Sequence, residues 1–236
     1  MIKENFYINN IPTTLWGEKS NHVFIAVHGN MSHKEDSVIE ILAETAVDLG
    51  YQVLSFDLPE HGDRKSNSIL SKVEPCINEL KQIYSYTENR WTSKSLFACS
   101  MGAYFSLLSY PEFIFKQALF LSPVVNMDLI ITNIMSWFNI TEDNLRHSKT
   151  ISTPIGQTLY WEYFCFVKEN PITSWNIKTS ILYGSDDNLC DYKTIQNFTK
   201  KYKCDLSIMP KGEHFFHTKE QLEVFHKWIN SNIITL

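Results

Sequence analysis

The 236-residue sequence has no cysteines in C-x-x-C spacing, no excess of basic residues and no apolar stretch long enough to cross a bilayer. Each absence removes a class of function. The five cysteines, Cys76, Cys99, Cys165, Cys190 and Cys204, are odd in number and scattered, so they suggest neither a disulfide framework nor a zinc motif. Lysine and arginine number 21 against 26 aspartate and glutamate, a net charge of -5, which lacks the electrostatic footprint of a nucleic-acid binder. Without a bilayer-length run, no membrane partner is expected. The start, Met1-Ile2-Lys3-Glu4-Asn5, lacks the apolar core of a signal peptide, so the expectation is a cytoplasmic protein with free thiols. There are no repeats, low-complexity tracts or linkers, and 44% hydrophobic with 20% charged residues fits one globular domain over residues 1–236. No spacing supplies several converging metal ligands, so neither a metal nor a cofactor is expected.

What is present is a repeated alternation of apolar runs and amphipathic segments. Residues 5–16 read as two short strands about a turn at Asn9-Asn10. Val23-Phe24-Ile25-Ala26-Val27 is a continuous β-branched and aromatic run, the pattern of a strand buried on both faces of a parallel sheet. Asp36 and Ser37 offer N-caps for a helix over Val38, Ile39, Leu42, Ala46 and Leu49, which Gly50 ends. A strand at Val53-Leu54-Ser55-Phe56, a turn-rich loop over residues 57–64, and a helix over Cys76, Ile77, Leu80, Ile83 and Tyr84 follow. Further strands are expected over residues 96–99, 117–121, 179–183 and 206–209, with helices over residues 192–202 and near the C-terminus. The repeating unit is β-α-β, which implies a mostly parallel sheet.

Leu96-Phe97-Ala98-Cys99-Ser100-Met101-Gly102-Ala103-Tyr104 is the stretch on which chemistry can be placed. A buried strand that runs into small-x-Ser-x-Gly and restarts as a helix has the form of a nucleophile elbow, where the serine sits on a strained turn. The following helix would aim its N-terminus, and the Met101 N–H, at the serine. A serine that merely caps a helix gives the same local pattern, so partners elsewhere must decide. A serine nucleophile needs a base, and the base needs a carboxylate to fix its tautomer. An aspartate past a strand, Asp186 or Asp187, and a histidine past the final strand, His214, complete the order Ser, Asp, His.

That order, with His28-Gly29, Asp57-Leu58-Pro59-Glu60-His61-Gly62, the Ala98 to Gly102 elbow, Gly184-x-x-Asp187 and Gly212-x-His214-Phe215 in register, resembles the α/β-hydrolase superfamily along essentially the whole chain. The resemblance implies an α/β-hydrolase fold, with a mostly parallel central sheet, helices on both faces and a helical cap inserted after the sixth strand. It implies Ser100 as nucleophile, His214 as general base and Asp187 as the acid, with Asp186 as the competing assignment. It also implies an oxyanion hole from the backbone N–H groups of Asn30 and Met101. His28 and His61 would shape loops around the site; His33 and His217 carry no signal that favours a pocket over solvent, and His22, His147 and His226 carry none at all. Cys99 is expected in the core.

Between residues 125 and 177 the alternation breaks. Met127, Ile130, Ile131, Ile134, Met135 and Phe138 mark one side of an amphipathic helix, and residues 159–167 form a dense aromatic segment read as a second helix. An aromatic insertion of this size suggests a lid, with Tyr160, Trp161 and Phe164 contacting substrate. The alternative is a layer that simply packs on the body. The function expected is a serine hydrolase cleaving a carboxylic ester of a small to medium acyl or aryl substrate through an acyl-enzyme. A thioesterase, an amidase or peptidase, or a carbon-carbon bond hydrolase would need only a different pocket. His28-Gly29-Asn30 is also similar to haloalkane dehalogenases, but their chemistry requires an aspartate where Ser100 stands. A non-catalytic ligand-binding protein of the same fold is the reading from another class, and an intact Ser, Asp and His set argues against it.

Overall fold

The computed structural model describes residues 1–66 and 72–236. The chain opens with a hairpin of β1 (Lys3–Ile8) and β2 (Ile11–Trp16). Asn9 and Asn10, with φ of 47° and 68°, form its two-residue turn, a conformation asparagine tolerates better than most side chains. The units that follow are β3 (His22–Val27), α1 (Ser37–Asp48), β4 (Gln52–Phe56), a single 3-10 turn (Gly62–Arg64), α2 (Val73–Glu88), β5 (Ser93–Cys99), α3 (Met101–Ser109) and β6 (Ala118–Leu121). After an insertion come β9 (Thr179–Gly184), α7 (Tyr192–Tyr202), β10 (Asp205–Met209) and α8 (Lys219–Asn232). The caps fall where the sequence predicts: the Asp36 side chain accepts the Ile39 N–H at 3.0 Å to start α1, and Gly50, with φ of 86°, follows its end.

Among the described residues these strands form one sheet in the order β1-β2-β4-β3-β5-β6-β9-β10. β2 pairs antiparallel with β1 and β4, and every other pairing is parallel. Val23 through Val27 are fully buried, as a strand covered on both faces requires. Side chains alternate across the sheet. Phe24, Ala26, Phe97, Leu119, Leu121 and Leu182 share a core with Val38, Ile39 and Leu42 of α1 and Phe225, Trp228 and Ile229 of α8. Val27 points the other way, towards Gly102 of α3, so helices cover both faces. Burying one such Phe or Leu is worth about 1.5–3 kcal/mol. The registers Val27↔Ala98, Cys99↔Leu121 and Leu121↔Leu182 bring the carboxyl ends of β3, β5, β6 and β9 level with one another. In open parallel sheets, that edge is where ligands bind.

The chain divides into two compact units, Met1–Val125 with Ser174–Leu236, and Asn126–Thr173. The second contains α4 (Met127–Trp137), α5 (Glu142–Ser148), β7 (Thr150–Ser152), β8 (Thr158–Tyr160) and α6 (Trp161–Glu169). The amphipathic α4 matches its periodicity. The aromatic segment does not begin as a helix: Leu159 and Tyr160 belong to β8, and the helix starts at Trp161. Thr158, Leu159 and Tyr160 pair antiparallel with β7 across a turn in which Gly156 has φ of 78°, and this pairing overrides the local helical pattern. α5, closed by a capping box between Thr141 and Asn144, was not anticipated, because its seven residues carry one buried apolar side chain and so no periodic stripe. No helix among the described residues is long and apolar enough to cross a membrane.

Candidate active site

The last residues of β5 and the first of α3 make a turn too tight for ordinary side chains. Ser100 stands at φ 49° and ψ -118°, a strained conformation for a residue with a Cβ. Gly102 sits against the ends of β3, where a Cβ would overlap the His28 carbonyl oxygen and lie 2.7 Å from that of Val27. Only glycine lets α3 approach the sheet so closely. The Ser100 N–H donates to the Leu121 carbonyl at 3.0 Å, and the Ser100 carbonyl accepts from the Val124 N–H at 3.1 Å, so the strained residue is held on both sides.

Ser100 Oγ lies 2.7 Å from His214 Nε2, and His214 Nδ1 lies 2.7 Å from Asp187 Oδ2. The Asp187 side chain is fully enclosed and the His214 side chain is 16% exposed. An ionised carboxylate only accepts, so Nδ1 carries the ring proton, and Nε2 of the neutral ring accepts from the serine hydroxyl. The other carboxylate oxygen, Asp187 Oδ1, accepts the backbone N–H groups of Leu189 at 2.9 Å and Cys190 at 2.8 Å. Asp186 is exposed, and its carboxylate accepts the Ser185 hydroxyl at 2.9 Å. Of the two aspartates the sequence offers, Asp187 is the one against His214. A second close approach sets the separation of these loops: a Cβ on Gly184 would overlap the Gly212 carbonyl.

The loop after β3 borders the same serine. A Cβ on Gly29 would lie 3.2 Å from Ser100 Cβ, which puts the Gly29 backbone beside Ser100. The Asn30 and Met101 N–H groups have no protein acceptor among the described residues. His28 donates from Nδ1 to the Gly29 carbonyl at 2.7 Å and accepts the Leu58 N–H on Nε2 at 3.0 Å. Burial holds its pKa down at about 3, so it is a neutral structural strut. His61 Nε2 lies 3.1 Å from the Asn30 side-chain oxygen and His61 Nδ1 lies 2.7 Å from the Pro59 carbonyl, which fixes Asn30 from behind. Below this loop, buried Asp57 accepts the Lys34 N–H at 2.8 Å, the Lys34 ammonium at 3.0 Å and the Asp63 N–H at 2.9 Å. Residues 57–63 are thus a polar clamp on the loop after β3, with Lys34 as a partner that no local sequence pattern marks.

Tyr160, Trp161 and Phe164 lie in the insertion unit, where the rings of Trp161 and Phe164 are 5.9 Å apart. Arg146 stands 5.3 Å over Trp161 and the Lys168 ammonium 4.8 Å over Phe164. His33 accepts the Glu35 N–H in its own loop, and His217 donates to the Phe215 carbonyl and stacks on the Phe215 ring at 4.9 Å. Cys99 packs against the main core, and burial pushes its thiol pKa far up. Besides Lys34, sequence reasoning misses Leu189 and Cys190 at this site. They act through backbone N–H groups, which leave no mark in side-chain patterns.

No family model and no curated protein matches the chain. Solved structures do. Est1E from Butyrivibrio proteoclasticus, in a structure described as ferulic acid bound to Est1E, superimposes with a TM-score of 0.77 at 18% identity, covering 97% of this chain and 96% of that one. A putative hydrolase from Agrobacterium vitis S4 gives a TM-score of 0.78 at 13% identity over 98% of both chains. The Pyrococcus furiosus esterase PF2001 gives 0.70 at 17% identity over 98% of this chain and 89% of that one. The fold is the α/β-hydrolase fold.

Proposed function

We propose that the protein is a serine hydrolase that cleaves carboxylic esters through an acyl-enzyme. The observation that carries the reading is the continuous hydrogen-bonded relay from Ser100 through His214 to Asp187, both links 2.7 Å long, at the carboxyl end of the central strand.

In this reading Ser100 Oγ attacks the ester carbonyl carbon as His214 Nε2 takes the hydroxyl proton. Asp187 stays ionised and stabilises the imidazolium. The negative charge on the former carbonyl oxygen is met by the Asn30 and Met101 N–H groups, already fixed by the loop and the helix start, so no reorganisation is required as charge develops. Collapse breaks the bond to the alkoxy group, which leaves with the proton from His214. Water, deprotonated by the same imidazole, then attacks the acyl carbon and releases the acid and free Ser100.

The acyl or aryl group is proposed to be small to medium in size. Ferulic acid, bound by the similarly folded Butyrivibrio protein, supports testing aryl esters first. The deciding experiment is reaction with a fluorophosphonate probe followed by peptide mapping. Labelling at Ser100, lost in Ser100→Ala together with hydrolysis of aryl esters, is the expected result. A folded wild-type protein that neither labels nor turns over esters makes the fold a binding scaffold instead.

A further inference from the structure

We propose that Asp187, Cys190 and His214 form an inhibitory site for a thiophilic divalent cation, with zinc as the ion of choice. One ligand atom from each residue, a carboxylate oxygen, a thiol sulfur and a ring nitrogen, lies within 4.8 Å of the other two. The three side chains come from two loops far apart in sequence, which is why spacing alone gave no hint of them. The backbone of Cys190 is pinned beside the carboxylate: its N–H donates to Asp187 Oδ1 at 2.8 Å and its carbonyl accepts the Tyr183 hydroxyl at 2.8 Å.

The chemistry of the set selects the ion. Carboxylate, imidazole and thiolate together are ligands of zinc and its heavier congeners, whereas magnesium and calcium want oxygen alone. Ligand atoms of a tetrahedral zinc stand about 3.3–3.7 Å apart, so closure asks for roughly 1 Å of movement, within reach of a thiol rotation and a small shift of the ring. The charges also balance. The Asp187 carboxylate is one anionic ligand; burial pushes the Cys190 thiol pKa far up, so its proton leaves to solvent only as the cation takes the sulfur, which makes it the second. The divalent cation cancels both in an enclosed site.

Binding at Nδ1 displaces the proton that His214 donates to Asp187, and the neutral ring carries its proton on Nε2 instead. Nε2–H then faces Ser100 Oγ as a donor and cannot accept the serine proton. The cation therefore removes the base without touching the serine. This consequence rests on the serine-hydrolase reading; the binding itself does not.

The test separates the two. The intact protein is titrated with cadmium, and the ultraviolet thiolate-to-cadmium charge-transfer band is followed in wild type, Cys190→Ala and Cys190→Ser, with Cys204→Ala as a comparison. A one-equivalent band that zinc displaces, present in wild type and Cys204→Ala and absent in both Cys190 variants, is expected. The serine variant keeps nearly the same volume, so a folding defect in one replacement leaves the other to decide. In parallel, zinc should slow fluorophosphonate labelling of wild type by about tenfold or more and leave each Cys190 variant at its own zinc-free rate. An undiminished band in the Cys190 variants overturns the site. So does equal slowing by zinc in wild type and variants, which would place the ion on Nε2. If nothing labels even without zinc, the hydrolase reading fails while the cadmium band still decides the metal site.

Discussion

His28 receives the Leu58 N–H on Nε2 at 3.0 Å while its Nδ1 proton is spent on the Gly29 carbonyl at 2.7 Å. One fully buried ring thus ties the loop after β3, which carries Asn30, to the loop after β4. A second ring proton can go only on Nε2 and would cost the Leu58 bond, and burial opposes the charge.

The pH dependence of stability follows from that. The folded-state pKa of His28 lies at about 3 and the unfolded value at 6.5. Between those values the unfolded chain binds a proton that the folded chain refuses, so stability falls as pH drops below 6.5 and is complete above it. From pH 6.5 to 5 the loss is about 2 kcal/mol as an upper bound for this one group. Urea unfolding at the two pH values should show this slope in wild type and a flatter one in His28→Gln. Parallel slopes would mean that His28 is not held neutral.

The second prediction ranks the two aspartates. Asp187→Asn keeps the shape but turns the acceptor facing His214 into a donor or a neutral oxygen, which frees the ring to take the wrong tautomer. Turnover of an ester should fall on the order of 10⁴-fold, as in the serine-protease template. Asp186→Asn removes only a charge on an exposed turn, leaving an amide oxygen that can still accept the Ser185 hydroxyl, and should cost less than about threefold, within the effect of an ordinary surface change. Steady-state rates of the two variants settle the order, and the reverse ranking would put the acid at Asp186.

Much of this arrangement is legible in the sequence, for physical reasons that can be named. Val23 to Val27 must be covered on both faces, the Ser100 turn demands Gly102, and Asp36 and Gly50 mark the ends of α1 by their own capping chemistry. Each of these signals is local. What escaped is non-local or carried by the backbone: the clamp of Lys34 on Asp57, the N–H groups of Leu189 and Cys190 on Asp187, and the sulfur of Cys190 beside His214. At Leu159 and Tyr160 the expected helix gives way to a strand, because pairing with β7, a tertiary contact, decides between two states that periodicity alone does not separate.

Gly102 supplies a prediction whose sign is diagnostic. In an ordinary helix Gly→Ala stabilises by about 0.5–1 kcal/mol. At Gly102 the new methyl meets the Val27 and His28 carbonyls, so Gly102→Ala should instead destabilise by roughly 1–3 kcal/mol, the usual cost of overpacking. Because the same contact sets the height of Ser100, probe labelling should slow as well. Thermal unfolding and labelling rate together test this, and a stabilised, fully reactive variant would refute the close approach.

The last prediction concerns the ion pair beneath the loop after β4. Arg64 reaches Glu79 of α2 through two hydrogen bonds of 2.5 and 2.7 Å and also donates to the Asp57 carbonyl at 3.1 Å. Arg64 is 3% and Glu79 11% exposed at the side chain, so neither charge can be rescued by water if its partner is lost. Glu79→Ala should therefore destabilise by about 3–5 kcal/mol, most of it the cost of a stranded guanidinium rather than the worth of the pair. Removing both charges, with Arg64→Met and Glu79→Leu together, should recover much of that loss, since well-packed apolar replacements of buried pairs are often neutral. The recovery will be incomplete, because the Asp57 carbonyl then lacks its donor and an unsatisfied buried acceptor costs about 1–3 kcal/mol. Chemical unfolding of the single and double variants measures all three. A Glu79→Ala variant as stable as wild type would mean that Arg64 finds another anion, and that the pair does not hold the 57–64 loop in place.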